Sequence, residues 1–414
     1  MSESILFNLL HLDVYDEEER RKADAIAIIR EARQNPRKLD LIYTFPHVVE
    51  IKRCCPLHQA IRLGLGVEVV DALSSPVALR LKCDGATALH LAMYPRFNGP
   101  MDIISHARPK IHVSWDVVSL LLRKHPDAAR ERDDEGQTPL HLACRYGAPH
   151  DMLSALLSSW PDAAREKDAS GQTPLHSACE YKLPLSVLAL FLSRCPDVAK
   201  EKDSDGSTLL HIICRYASLD QVSSILSACP DAAKVKDEDG WTPLHHACQE
   251  GAPFAVISLL MSSWPDAATE EDNDGLTPLH VACQYNESLD TIILLLDKWI
   301  EAKDNRNSES VECLIECTDI IDAPEEIGNL FFHVSALFDE DQFDPSPHEV
   351  MCFFNHLNWW NGALLVIDVY PSVTKALGLH TNVMADFLCI VGKKCCLTTM
   401  STVIQNEPDI LEWI

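Results

Sequence analysis

The tetrapeptide Thr-Pro-Leu-His returns at a fixed interval through the middle of the chain. It occupies Thr138–His141, Thr173–His176, Thr242–His245 and Thr277–His280, and a variant, Thr208-Leu209-Leu210-His211, fills the gap. The five histidines step by 35, 35, 34 and 35 residues. A constant period of this size specifies a solenoid, in which one small supersecondary unit is stacked on copies of itself. Such an array displays a long surface, so the spacing argues for recognition before it argues for catalysis.

One unit, Asp133 to Arg165, shows how the period is built. Asp133-Asp134-Glu135-Gly136 is a turn, with glycine supplying the positive φ that side-chained residues resist. Thr138 is placed to cap a helix and Pro139 to be its first residue, where a missing N–H does no harm. Leu140, Ala143 and Cys144 share one face of that helix. A second helix is expected from about Ala148-Pro149, with Leu153, Leu156 and Leu157 at helical spacing. It should stop near Trp160, because the residue before Pro161 is pushed out of the helical region.

This order of turn, glycine, Thr-Pro-Leu-His, small pair, helix, loop and helix resembles the ankyrin repeat. The clear copies run over about 130–300. Weaker ones stand at Gly85-Ala86-Thr87-Ala88-Leu89-His90 and Cys55-Pro56-Leu57-His58. The resemblance implies an all-α ankyrin-repeat solenoid of helix-turn-helix units with short β-turn tips and helical caps at both ends. The organisation expected is a helical N-terminal cap over 1–50, an array of about seven repeats over 51–302, and a helical C-terminal region over 303–414. An insertion near 94–115 accounts for the longer step from His90 to His141, and carries Arg96, Arg108 and Lys110; it is either a functional loop or a disordered one. The sequence departs from the common repeat in closing each second helix with Pro-Asp, at Pro126, Pro161, Pro196, Pro230 and Pro265. In that subtype it looks like the expanded ankyrin families of microalgae.

Composition limits the partners. The 414 residues carry a net charge of −27, which repels phosphate backbones, so neither nucleic acid nor an anionic membrane is expected. No apolar run approaches the ~20 residues a membrane helix needs. The first residues lack a basic leader and soon reach Asp16-Glu17-Glu18-Glu19, so the 16 cysteines are expected as thiols in cytosol or nucleus.

The residues that could carry chemistry recur too regularly for it. Histidines repeated once per unit stand roughly a helix-packing distance apart, about 10 Å, which no metal spans with ~2 Å bonds. Cys144, Cys179, Cys214, Cys248 and Cys283 take the small position of the first helix and are expected as buried thiols, too far apart for disulfides. No catalytic residue, metal ligand or cofactor is assigned.

Ankyrin proteins bind through turn tips and the outward side of the first helix. Carried onto this chain, that implies a protein partner held on a concave strip of Arg145, Tyr146, Glu180, Tyr181, Arg215, Tyr216, Trp241, Gln249, Glu250, Gln284 and Tyr285, with tip contacts at Gln137, Gln172, Ser207 and Leu276. Tyr, Trp and Arg are the residues that interfaces favour; the same tyrosines could instead shield the helix of the next repeat. The tips are acidic, as in Asp133-Asp134-Glu135 and Asp237-Glu238-Asp239. That charge would steer a basic partner, and it is equally what turn chemistry and solubility favour.

The two ends lack the motif. One helix is expected from Glu17 to Asn35. Ser346-Pro347-His348-Glu349 is a capping box, and Tyr370-Pro371-Ser372-Val373 echoes Trp-Pro-Asp-Ala, so 303–414 is expected to hold degenerate repeats that seal the array. Its 18 acidic and 5 basic residues give it a net charge of −13. The leading expectation is a non-catalytic scaffold or adaptor. Two alternatives stand beside it: an adaptor whose C-terminal segment docks an enzyme such as a ubiquitin ligase, and an enzyme using Cys389 with His380 or His356. The oligomeric state is not legible.

Overall fold

The computed structural model describes residues 5–13, 16–46, 51–94, 113–179, 184–214, 218–285, 287–317, 325–338, 345–370 and 373. The chain divides into two units, Met1–Glu238 and Asp239–Ile414. Both are built from helix-turn-helix repeats.

In the first unit the repeats place their first helices at Pro56–Leu63, Ala88–Met93, Pro139–Arg145, Pro174–Cys179 and Leu209–Cys214. The second helices are Val67–Leu73, Trp115–Lys124, His150–Ser159, Leu185–Arg194 and Leu219–Ala228. Proline marks the far end of the second helix in four of these repeats and its near end in two. Pro149 and Pro184 are N-caps, and the residue before the next proline is extended, as at Trp160 with φ −151° and ψ 92°. The Pro-Asp stretch expected as a loop is instead a 3-10 turn in every repeat, for example Pro161–Arg165. Its two middle residues explain that: Ala163 and Ala164 are buried where the turn folds under the repeat, as are Val198 and Ala199 in the next one.

The second unit continues the pattern with Pro243–Gln249, Phe254–Ser263, Pro278–Gln284 and Leu289–Trp299. Helices Ser308–Cys317, Glu325–Ala336, Pro347–His356 and Trp360–Val369 follow. The aromatic residues there form a core, with Phe331, Phe354 and Trp359 buried. Asp297, on the last helix of the repeats, accepts hydrogen bonds from Trp359 Nε1 and Asn361 Nδ2, both at 2.5 Å. The echo at Tyr370 is real in geometry: Val373 N donates to Tyr370 O at 3.0 Å, as Ala163 N does to Trp160 O at 3.2 Å.

The N-terminal segment differs from expectation in two ways. The single helix over Glu17–Asn35 is two helices, Glu17–Arg20 and Ala25–Gln34. Asp24 breaks it, because its carboxylate accepts from Ala27 N at 2.9 Å and so starts a new helix. Tyr43–Pro46 and Ile51–Cys54 pair as an antiparallel two-stranded sheet. The insertion lies outside the described residues except at its borders, Tyr94 and 113–115.

Candidate functional site

Each Thr and His of the motif makes one unit of structure. In six repeats the threonine backbone N–H donates to the Nδ1 of the histidine three residues on, at 3.0–3.3 Å. The threonine hydroxyl lies 2.7–2.8 Å from the same nitrogen. Because Nδ1 accepts a backbone N–H, a neutral imidazole must carry its proton on Nε2. Burial supplies that neutrality: it pushes His141 from 6.5 down to about 4, and lowers His90, His176 and His280. In three repeats the Nε2–H is then spent on the neighbouring repeat, while His58 and His176 Nε2 find no acceptor among the described residues. His90 donates to Gln137 O and His141 to Gln172 O, both at 3.0 Å, and within the second unit His245 donates to Leu276 O at 3.2 Å.

In the first weak repeat Cys55 replaces threonine, and its Sγ takes the hydroxyl's place, 2.7 Å from His58 Nδ1. Burial raises that thiol to about 11 and lowers His58 to about 4. Cys144, Cys214, Cys248 and Cys283 are buried, Cys179 is half-buried, and no described cysteine is in a disulfide. Among the described residues no group of three or more His, Cys, Asp and Glu is placed to hold a metal.

The turn tips divide their acidic residues between two jobs. The first aspartate is structural: Asp133 Oδ1 accepts from Glu135 N and Gln137 N, and Asp168, Asp203 and Asp272 repeat this. The acids that follow it, Asp134, Glu135 and Asp205, are exposed, as is Asp274 in the second unit. Tips also bond to one another, through Ala169 N to Glu135 O at 3.0 Å in the first unit and Asn273 N to Asp239 O at 3.0 Å in the second.

The residues expected on the strip are placed unevenly. Arg145 and Tyr146 are half-buried at the end of their helix, and the Tyr146 ring lies 5.9 Å from that of Tyr94. Glu180, Tyr181, Arg215 and Tyr216 lie outside the described residues. In the second unit Gln249 and Glu250 are half-buried, while Gln284 is exposed and Tyr285 is 48% exposed. Gln249 Nε2 donates to Tyr285 Oη at 3.1 Å, which fixes the tyrosine ring against the preceding repeat. Trp241 is half-buried and packs its ring on His245 and His246, at 5.9 and 5.2 Å.

Of the tip residues, Gln172, Ser207 and Leu276 are half-buried. Gln137 is not out at the tip as expected but only 5% exposed. Its N–H is held by Asp133 and its carbonyl by His90, the same two bonds that the half-buried Gln172 makes with Asp168 and His141.

A stack of capped helix pairs with tip-to-tip bonding is a repeat solenoid. The family model for ankyrin repeats, three copies long, matches residues 111–201, 184–267 and 210–308. The chain is therefore an ankyrin-repeat protein, with the helix-dominated solenoid that implies. No curated protein matches it. Among the described residues no helix is long and apolar enough to cross a membrane.

Proposed function

We propose that this chain is a non-catalytic scaffold or adaptor that binds a protein partner through the outward ends of its first helices and their tips. Ankyrin repeats are generally protein-interaction modules. The observation that carries the reading is the ordering of Tyr285 by Gln249 across two repeats, since an exposed aromatic already held in place loses little entropy on binding. In the first unit the half-buried Tyr146 packs its ring 5.9 Å from that of Tyr94. Histidine, threonine and the first aspartate of the tips hold the repeats, and the surface offered to a partner comprises Arg145, Tyr146, Gln284, Tyr285 and the outer tip acids. Those acids favour a basic partner surface.

The C-terminal helices act in this reading as a seal for the last repeat, supported by the two hydrogen bonds that Asp297 accepts from Trp359 and Asn361. The test is affinity capture from lysate with the parent chain and with Tyr146→Ala and Tyr285→Ala separately, each first shown to unfold like the parent. A protein captured by the parent and weakened about tenfold or more by either substitution supports the reading. Capture unaffected by both would refute it.

A further inference from the structure

In the repeats each tip is built against the next. A Cβ placed on Gly136, Gly171 or Gly206 in the first unit would meet following-tip backbone at 2.9, 2.7 and 2.8 Å, and one on Gly240 in the second would come within 2.7 Å of Asn273. At Gly275 the same atom would meet nothing within 4 Å. The cause is a deletion in the chain. Thirteen residues separate Ser263, the end of one second helix, from the cap Thr277. Only seven separate Trp299 from Asn307, whose side chain caps the next helix by accepting from Ser310 N at 2.7 Å. The shortened connection has no room for a tip hairpin. A cleft of about 360 Å³ stands there, lined by Thr269, Glu271, His280, Trp299 and Asp304 among others.

The cleft contains an unmet donor. His280 is 8% exposed, and its Nδ1 takes the N–H and hydroxyl of Thr277 like its counterparts. Its Nε2–H therefore points away from the cap, and among the described residues it has no acceptor; His58 and His176 also lack one but are enclosed within the array, whereas His90, His141 and His245 each have a tip carbonyl, so what sets His280 apart is the open cleft beside it. Trp299, 3% exposed, stands edge-on to the imidazole at 6.4 Å. Glu271 and Asp304 are the charged residues of the lining.

We propose that this cleft docks a basic β-turn of a partner protein, which supplies a backbone carbonyl to His280 Nε2–H and a Lys or Arg side chain to Glu271 and Asp304. The geometry asks for a turn because a turn carbonyl is what the same nitrogen binds elsewhere in the array. It asks for a basic one because the lining is anionic. A second copy of this chain is the wrong occupant, since its own tips are acidic. The site is separate from the helix-end surface proposed above and does not depend on it.

The test uses the full chain and two backbone-cyclised hairpin peptides, one with Lys-Asn-Gly-Lys at its turn and one with Glu-Asn-Gly-Glu, titrated calorimetrically. The lysine peptide should bind about tenfold or more tighter than the glutamate peptide. Glu271→Lys, and Ala302→Phe, which crowds the cleft from an exposed position, should each weaken it about tenfold, while Tyr146→Ala leaves it unchanged. His280→Ala removes the donor together with a cap, so it is read only if its unfolding curve shows a folded chain; the other two variants carry the test without it. Equal binding of both peptides, binding of neither, or full affinity in both cleft variants would overturn the proposal.

Discussion

The capping histidines make stability depend on pH in a defined window. Protonating His141 would put a proton on Nδ1, directly facing the Thr138 N–H that it now accepts at 3.1 Å. Two donors would then oppose each other at the start of the helix. The folded state therefore resists protonation, and the His141 value falls from 6.5 to about 4, first through burial. A base whose folded pKa is depressed contributes its full stabilisation above the unfolded value. That contribution is lost as pH falls, because the unfolded chain takes up a proton that the folded chain refuses. The window for His141 and His58 is thus 6.5 down to about 4.

Between pH 7.5 and 5.5 the loss is roughly 1 kcal/mol for each such histidine, about half of the ~2.7 kcal/mol that a full proton per site would give over two pH units. His90, His176 and His280 shift in the same direction and add to it. Urea unfolding at pH 7.5, 6.5 and 5.5 measures this, and stays clear of the pI near 4.9. The parent should lose stability steadily over that range, and His141→Gln should lose roughly 1 kcal/mol less than the parent. A variant whose slope equals the parent's would show that His141 is not held neutral. Parent stability that is flat over the range would refute the capping argument for the whole array.

Four further outcomes follow from particular contacts. Gly171→Ala should cost about 1–3 kcal/mol more than Gly275→Ala, since both residues have positive φ but only the first meets backbone, and unfolding of the two variants compares them. Cys55→Thr should stabilise the first repeat by about 0.5–1 kcal/mol, read from hydrogen exchange in Pro56–Leu63, because a hydroxyl caps better than the thiol now beside His58. Asp297→Ala should cost about 2–4 kcal/mol and raise exchange in Trp360–Val369, because it leaves the buried Trp359 N–H without its acceptor. Removing the exposed pair Arg165–Asp197 by Arg165→Ala should change stability by no more than about 1 kcal/mol.

The sequence was most legible where one residue type can do one job. Proline at the first helical position and threonine before it located the helices at Pro139, Pro174, Pro243 and Pro278, and the variant Thr208-Leu209 kept its cap without the proline. Proline ahead of a 3-10 turn was read correctly as a stop but not as a turn, because Asp-Ala-Ala is compatible with either and only burial of the alanines decides. The hairpin at Tyr43–Pro46 and Ile51–Cys54 is faint in the sequence, because Tyr43-Thr44-Phe45 and Ile51 have strand character but each strand is only four residues long beside a dominant helical period. The expected single helix over Glu17–Asn35 ignored the capping power of Asp24 in its middle. Gln137 sits beside its turn as Gln172 does and makes the same two backbone bonds, so no local signal separates the buried residue from the half-buried one.

The cleft beside His280 was hidden for a different reason, and it shows how function arises in a repeat array. Nothing in its own residues distinguishes Thr277-Pro278-Leu279-His280 from the earlier copies. What differs is a shortening more than twenty residues downstream, between Trp299 and Asn307, where the expected tip is missing. In a solenoid each repeat is satisfied by its neighbour, so a deletion in one repeat exposes a polar group in the one before it. The histidine that bonds a neighbouring tip at position 141 faces an open cleft at position 280, with its cap unchanged and no tip beside it. Function in such a chain is read by comparing copies and asking which repeat has lost the neighbour that its equivalents keep.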